Sequence, residues 1–218
     1  MDQESLTDEE MRLLHTPSLV SDALTTPTTP NLSLPKQDPS LVHLHLEFAS
    51  SLGDVLSKMT HRQVTARLRD EWLGTYSEFV FGQPVPTCCA VIKSRVHGLE
   101  FYLVTDSKIL FPLLDRLLGS KTIEPIPQRP LSEIERTVSR LLIEEIVNQY
   151  AAAWQHSLSL DPTVDRIEHN LQQMVGLHGS ETTYNVRYEV SFDGAFGLLE
   201  LCLPWQKTEQ IRHRLAVS

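Results

Sequence analysis

The apolar positions of this chain follow two rhythms, one helical and one alternating, and their order occurs twice. Leu41, Leu44, Phe48, Leu52, Val55, Leu56 and Met59 recur at helical spacing. Val64, Ala66 and Leu68 then alternate with Thr65, Arg67 and Arg69, as in a half-buried strand. A short helical stretch over Tyr76 to Phe81 is stopped by Gly82 and Pro84. Cys88 to Ser94 and Leu99 to Val104 read as strands joined by a turn at His97-Gly98. A helix from about Asp106 to Leu118 closes this half, with Gly119 placed to end it.

The pattern restarts after a loop bounded by Pro125, Pro127 and Pro130. Ser132 and Glu135 form a capping box that opens a long helix to about His156. Strands are predicted near Thr163 to Glu168, Tyr184 to Phe192 and Leu198 to Leu203, the last two joined at Asp193-Gly194. A helix after Pro204 ends the chain. Each half therefore reads helix, strand, irregular stretch, strand, strand, helix. The ends also look alike, HGLEFYLVTDSKILFPLLDRL against FGLLELCLPWQKTEQIRHRL. The expected fold is α/β: a pseudo-twofold duplicated domain with one six-stranded, mostly antiparallel sheet covered by long helices.

Residues 1 to 40 change the picture. They hold seven acids against two bases, which is -5 of the chain's net -9 over 218 residues. The remaining 178 residues thus carry only -4, and no basic face emerges that would serve a nucleic acid. Pro17, Pro27, Pro30, Pro35 and Pro39 lie among Ser and Thr, so residues 16–40 read as a semi-extended linker. Ahead of it Thr7 and Glu10 form a capping box, flanked by Leu6 and Met11 as a hydrophobic staple. With Leu13 and Leu14 these give an apolar face too small to hold a lone helix in water. Such a segment suits docking into a groove on a partner, or packing on its own domain. The expected division is residues 1–15 as docking segment, 16–40 as linker and 41–218 as one domain.

Chemical motifs are sparse. The three cysteines, Cys88 and Cys89 adjacent, give neither a disulfide framework nor zinc spacing. His43 and His45 lie two apart, which does not suit one helix face. No phosphate loop, nucleotide fingerprint or catalytic triad stands out, so no metal or cofactor is expected.

The run Gln128-Arg129-Pro130-Leu131-Ser132-Glu133-Ile134-Glu135-Arg136 resembles the start of the long second-half helix in the FliM family of flagellar motor switch proteins. Pro86-Thr87, Asp115-Arg116-Leu117-Leu118-Gly119, Ala153-Trp154 and Leu201-Cys202-Leu203-Pro204 resemble it in the same order. Leu6-Thr7-Asp8-Glu9-Glu10 with Leu13-Leu14 is similar to the segment by which that family captures phosphorylated CheY. The resemblance implies a CheC/CheX/FliM-type fold and a non-enzymatic subunit of the switch ring, or C-ring. It would lie at the cytoplasmic face of the inner membrane in the flagellar basal body. Implied partners are phosphorylated CheY, FliG, FliN or a FliN-like protein, and further copies of the chain. Implied contact residues are Leu6, Thr7, Glu10, Leu13 and Leu14 for CheY, and Asp115, Arg116, Gly119 and Ser120 for FliG.

Two departures accompany the resemblance. Where family members carry a GGxG turn, this chain has Gly119-Ser120-Lys121-Thr122. The chain also stops at Ser218, where the family continues into a domain that joins FliN; the expectation is a fragment, a split gene product, or a variant assembled with a separate partner. A CheC-like phosphatase of phosphorylated CheY is the alternative function. Such enzymes use an acid and an Asn three residues apart on one helix face, the spacing of Glu145 and Asn148. Leu141 stands where their pattern has Asp or Ser.

Overall fold

The structure is a computed structural model that describes residues 39–85, 87–121, 125–127, 129–155, 158–174 and 176–212. The expected docking segment and most of the expected linker lie outside these residues. The elements run α1 (Pro39–Thr60), β1 (Val64–Thr75), α2 (Tyr76–Phe81), β2 (Cys88–Ser94), β3 (Leu99–Thr105), α3 (Ser107–Leu117), α4 (Glu133–Trp154), β4 (Pro162–Glu168), β5 (Thr182–Phe192), β6 (Ala195–Pro204) and α5 (Trp205–Arg212).

The six strands form one sheet in the order β1-β5-β6-β3-β2-β4, every neighbouring pair antiparallel. Exchanging each strand with its counterpart three places on returns the same order reversed. A pseudo-twofold axis therefore passes between β3 and β6, at the centre of the sheet. Leu99, Phe101 and Leu103 share a face with Leu199, Leu201 and Leu203, so equivalent positions differ by an even number of residues. Aligning Gly98 with Gly197, as the similar chain ends invite, is one residue off and would turn every side chain to the opposite face.

β1 is twice as long as the alternation of Val64, Ala66 and Leu68 suggests. A register shift between Leu68 and Asp70 resets the parity, so that Leu73 returns to the core opposite Tyr184.

One face of the sheet carries α1, α3 and α4 and holds the main core, including Phe48, Leu52, Leu114, Ile143, Tyr150, Trp154 and Tyr188. A smaller core on the other face unites Tyr76 and Phe79 of α2 with Cys89, Val91, Tyr102, Leu171 and Cys202. His45 is fully buried in the main core and bonds Tyr188 Oη through Nδ1 at 2.6 Å, while His43 pairs with Glu47 outside. Among the described residues no cluster suits a metal ion, and no helix is long and apolar enough to cross a membrane.

Candidate functional site

The sharpest surface feature is the turn that ends α3. That helix starts at Asp106, whose carboxylate accepts the Lys108 N–H, and drives Ile109, Leu110, Phe111, Leu113 and Leu114 into the core. Its last turn closes by a 2.8 Å bond from Ser120 N–H to Asp115 O and a 3.1 Å bond from Gly119 N–H to Arg116 O. This pair of bonds is a Schellman motif, and it requires a left-handed residue at 119, where Gly119 has φ +94°. Ser120 takes no positive φ, so serine at the second position of the altered turn is no obstacle to its shape. Thr122 lies outside the described residues. Leu118 and Gly119 are exposed, and Asp115, Arg116 and Ser120 are half-buried beside them. The four residues expected to meet FliG therefore lie together at the C-terminal end of α3 and its closing turn, half-buried or exposed.

The turn is held by side chains. Arg116 donates Nε to Thr60 O at 3.3 Å and Nη1 to Ser120 O at 3.2 Å. Beyond the loop, Arg129 forks onto Glu135, with Nη1 to Oε2 at 2.7 Å and Nη2 to Oε1 at 2.9 Å. Glu135 belongs to the α4 capping box and also accepts the Ser132 N–H at 2.6 Å. The hydrogen bonds from Arg129 push the Glu135 carboxyl down to about 2, opposed by burial and helped by Ser132. The Arg129 guanidinium also lies 5.8 Å from the centre of the Phe111 ring, joining α3 to α4. Sequence reading found the capping box but missed this fork. The signal was an arginine three residues before the capping serine, a separation that helical spacing does not reveal.

The remaining expected sites are distributed elsewhere. Leu6, Thr7, Glu10, Leu13 and Leu14 lie outside the described residues. On α4, Asn148 is exposed, and Glu145 is half-buried and accepts from Gln149 Nε2 at 3.0 Å. Leu141, one turn before Glu145, is 59% exposed. A groove of about 400 Å³ between α1 and α4 is lined by Glu47, Ser50, Ser51, Asp54, Gln149, Ala152 and Ala153. Neither Glu145 nor Asn148 lines it. The three thiols are buried away from this surface, with burial raising Cys88 to about 12 and pushing Cys89 and Cys202 up as well.

Comparison with known proteins agrees with this geometry. A flagellar motor switch protein FliM of Borreliella burgdorferi is 33% identical over 170 residues, covering 77% of this chain and 47% of its own length. That of Treponema pallidum is 28% identical over 208 residues, covering 95% of this chain and 53% of its own length. The chain thus spans about half the length of the curated relatives it matches. A chain from the crystal structure of a FliG-FliM complex from H. pylori shares the fold with a TM-score of 0.74 at 24% identity, over 79% of this chain and 94% of that one. The family described as flagellar motor switch protein FliM matches residues 36–218, and with the relatives above this shows that the chain belongs to the FliM family.

Proposed function

We propose that this protein is a subunit of the flagellar motor switch that receives phosphorylated CheY and relays the signal to FliG, setting the direction of rotation. Residues 1–15 are the receiver, with Leu6, Thr7, Glu10, Leu13 and Leu14 in contact with phosphorylated CheY. Residues 16–40 are a tether, and 41–218 form the middle domain, which meets FliG through Asp115, Arg116, Gly119 and Ser120. The subunit stands in a ring of its own copies beside FliN or a FliN-like partner, at the cytoplasmic face of the basal body. It acts by binding, without a cofactor and without chemistry of its own.

The observation that carries this reading is the anchored turn after α3, on a fold shared with the FliM chain of the H. pylori FliG-FliM complex. Weak capture suits the receiver. Ordering about ten residues costs on the order of 1 kcal/mol each, so a small apolar face binds at roughly micromolar strength. The test combines two mixtures. The full chain should retain FliG in a pull-down and bind phosphorylated CheY. Deleting residues 1–15 should abolish the second interaction, spare the first and leave the unfolding midpoint unchanged. Undiminished CheY binding by the truncated chain would sink the receiver assignment, and no retention of FliG by the full chain would sink the turn assignment.

A further inference from the structure

The turn after α3 is braced on two sides. On one side Arg116 reaches the last residue of α1, bonding Thr60 O and the turn carbonyl of Ser120. On the other side Arg129 grips Glu135 in the first turn of α4 and lies over Phe111 of α3. Asp115, one helical turn after Phe111, offers its backbone carbonyl to the Ser120 N–H that closes the turn. A planar guanidinium suits this position. Its two parallel bonds to one carboxylate fix direction as well as distance, while its face stays free to stack on a ring.

We propose that Arg129 is a positioning residue: it fastens the FliG-facing turn to the N-terminus of α4, so that a displacement of that helix is carried to the turn. This rests on the reading of the turn as the FliG surface. Arg129 acts through Glu135 and Phe111, which join the first turn of α4 to α3 and through α3 to its terminal turn. Loosening it frees the turn while the sheet, whose contacts lie elsewhere, keeps its packing.

The test uses the full chain and FliG. Two quantities are measured for wild type, Arg129→Ala and Arg129→Lys: the dissociation constant for FliG, and amide exchange at Gly119 and Ser120 compared with Val186 in the middle of β5. Arg129→Ala should weaken FliG capture on the order of fivefold. It should also speed exchange at Gly119 and Ser120 by more than at Val186, whose protection falls only with the global stability. Arg129→Lys keeps the charge but not the fork and should fall between the two. If Arg129→Ala does not fold, Glu135→Gln takes its place, with the same direction and a smaller size, because it keeps an acceptor for Ser132. Unchanged FliG capture overturns the proposal, as does faster exchange spread evenly over Gly119, Ser120 and Val186. If the wild type itself fails to bind FliG, the proposed function falls, and selective loosening at Gly119 and Ser120 alone decides whether Arg129 holds the turn.

Discussion

Gly119→Ala is the most direct probe of the turn, and its cost can be worked from the backbone. Gly119 sits at φ +94°, and a Cβ built on it would meet nothing within 4 Å. The substitution therefore adds no clash, and the whole penalty is the left-handed backbone, about 1–2 kcal/mol. For a domain of this size that lowers the thermal midpoint by about 2–4 °C per kcal/mol. Gly98, in the β2–β3 turn at φ +56°, is likewise open on its Cβ side and serves as the control. Gly98→Ala should cost a similar amount of stability. The two variants should then part in FliG binding: weakened for Gly119→Ala, unchanged for Gly98→Ala. Differential scanning calorimetry and a FliG titration on both variants decide the matter. Equal effects on FliG binding would refute the assignment of the turn. A midpoint drop beyond about 10 °C at Gly119 would refute the claim that only backbone strain is involved.

Three further outcomes follow from buried groups. Glu135 keeps its charge in the folded state down to about pH 2, whereas the unfolded chain protonates near pH 4.3, so its stabilisation is complete above that value and lost as pH falls toward 2. Arg129→Ala should lower stability at pH 7 and shrink the loss between pH 4.3 and 2, read from urea midpoints; an unaltered profile would contradict the fork. His45 is held neutral by burial down to about 3 against 6.5 when unfolded, so its share of stability is lost as pH falls from about 6.5 to 3. His45→Gln should flatten urea midpoints between pH 7 and 5, and an equally steep slope in the variant would assign that loss to other groups. Burial should keep Cys88, Cys89 and Cys202 unreactive toward a thiol reagent at pH 8 until denaturant exposes all three, and one fast thiol in the native protein would count against the packing of β2 and β6.

The elements were legible where one local rule dominates. Ser132 and Glu135 announce α4 because the capping box is a contact over three residues, and both of its bonds are present. Asp193-Gly194 announces the β5–β6 hairpin because both residues must take positive φ, and they do, at 47° and 85°. What escaped the sequence depends on partners far along the chain. The shift in β1 that brings Leu73 inward is fixed by its pairing with β5, more than a hundred residues away. Gly98 and Gly197 look equivalent in the text of the two halves but do different work. Gly98 supplies a left-handed turn, whereas a Cβ at Gly197, inside β6, would come within 2.7 Å of Ile109 Cβ. The Arg129 fork escaped although its partner is only six residues on, because neither helical nor strand spacing couples an arginine in a proline-bounded loop to the third residue of the next helix.

The helices that follow the two symmetry-related central strands differ in how they are buried. β3 and β6 are equivalent strands across the axis, and each leads into a helix, α3 or α5. Their burial differs sharply. α3 drives six residues into the core, Ile109 through Leu114, and extends over eleven residues before its exposed turn. Over its described residues, Trp205–Arg212, α5 buries Thr208 and Ile211. Beside the axis, Gly197 leaves room for Ile109 and lets α3 settle onto β6. Arg116 ties the turn at the end of that helix to α1, and Arg129 joins α3 itself to α4 through Phe111 and Glu135.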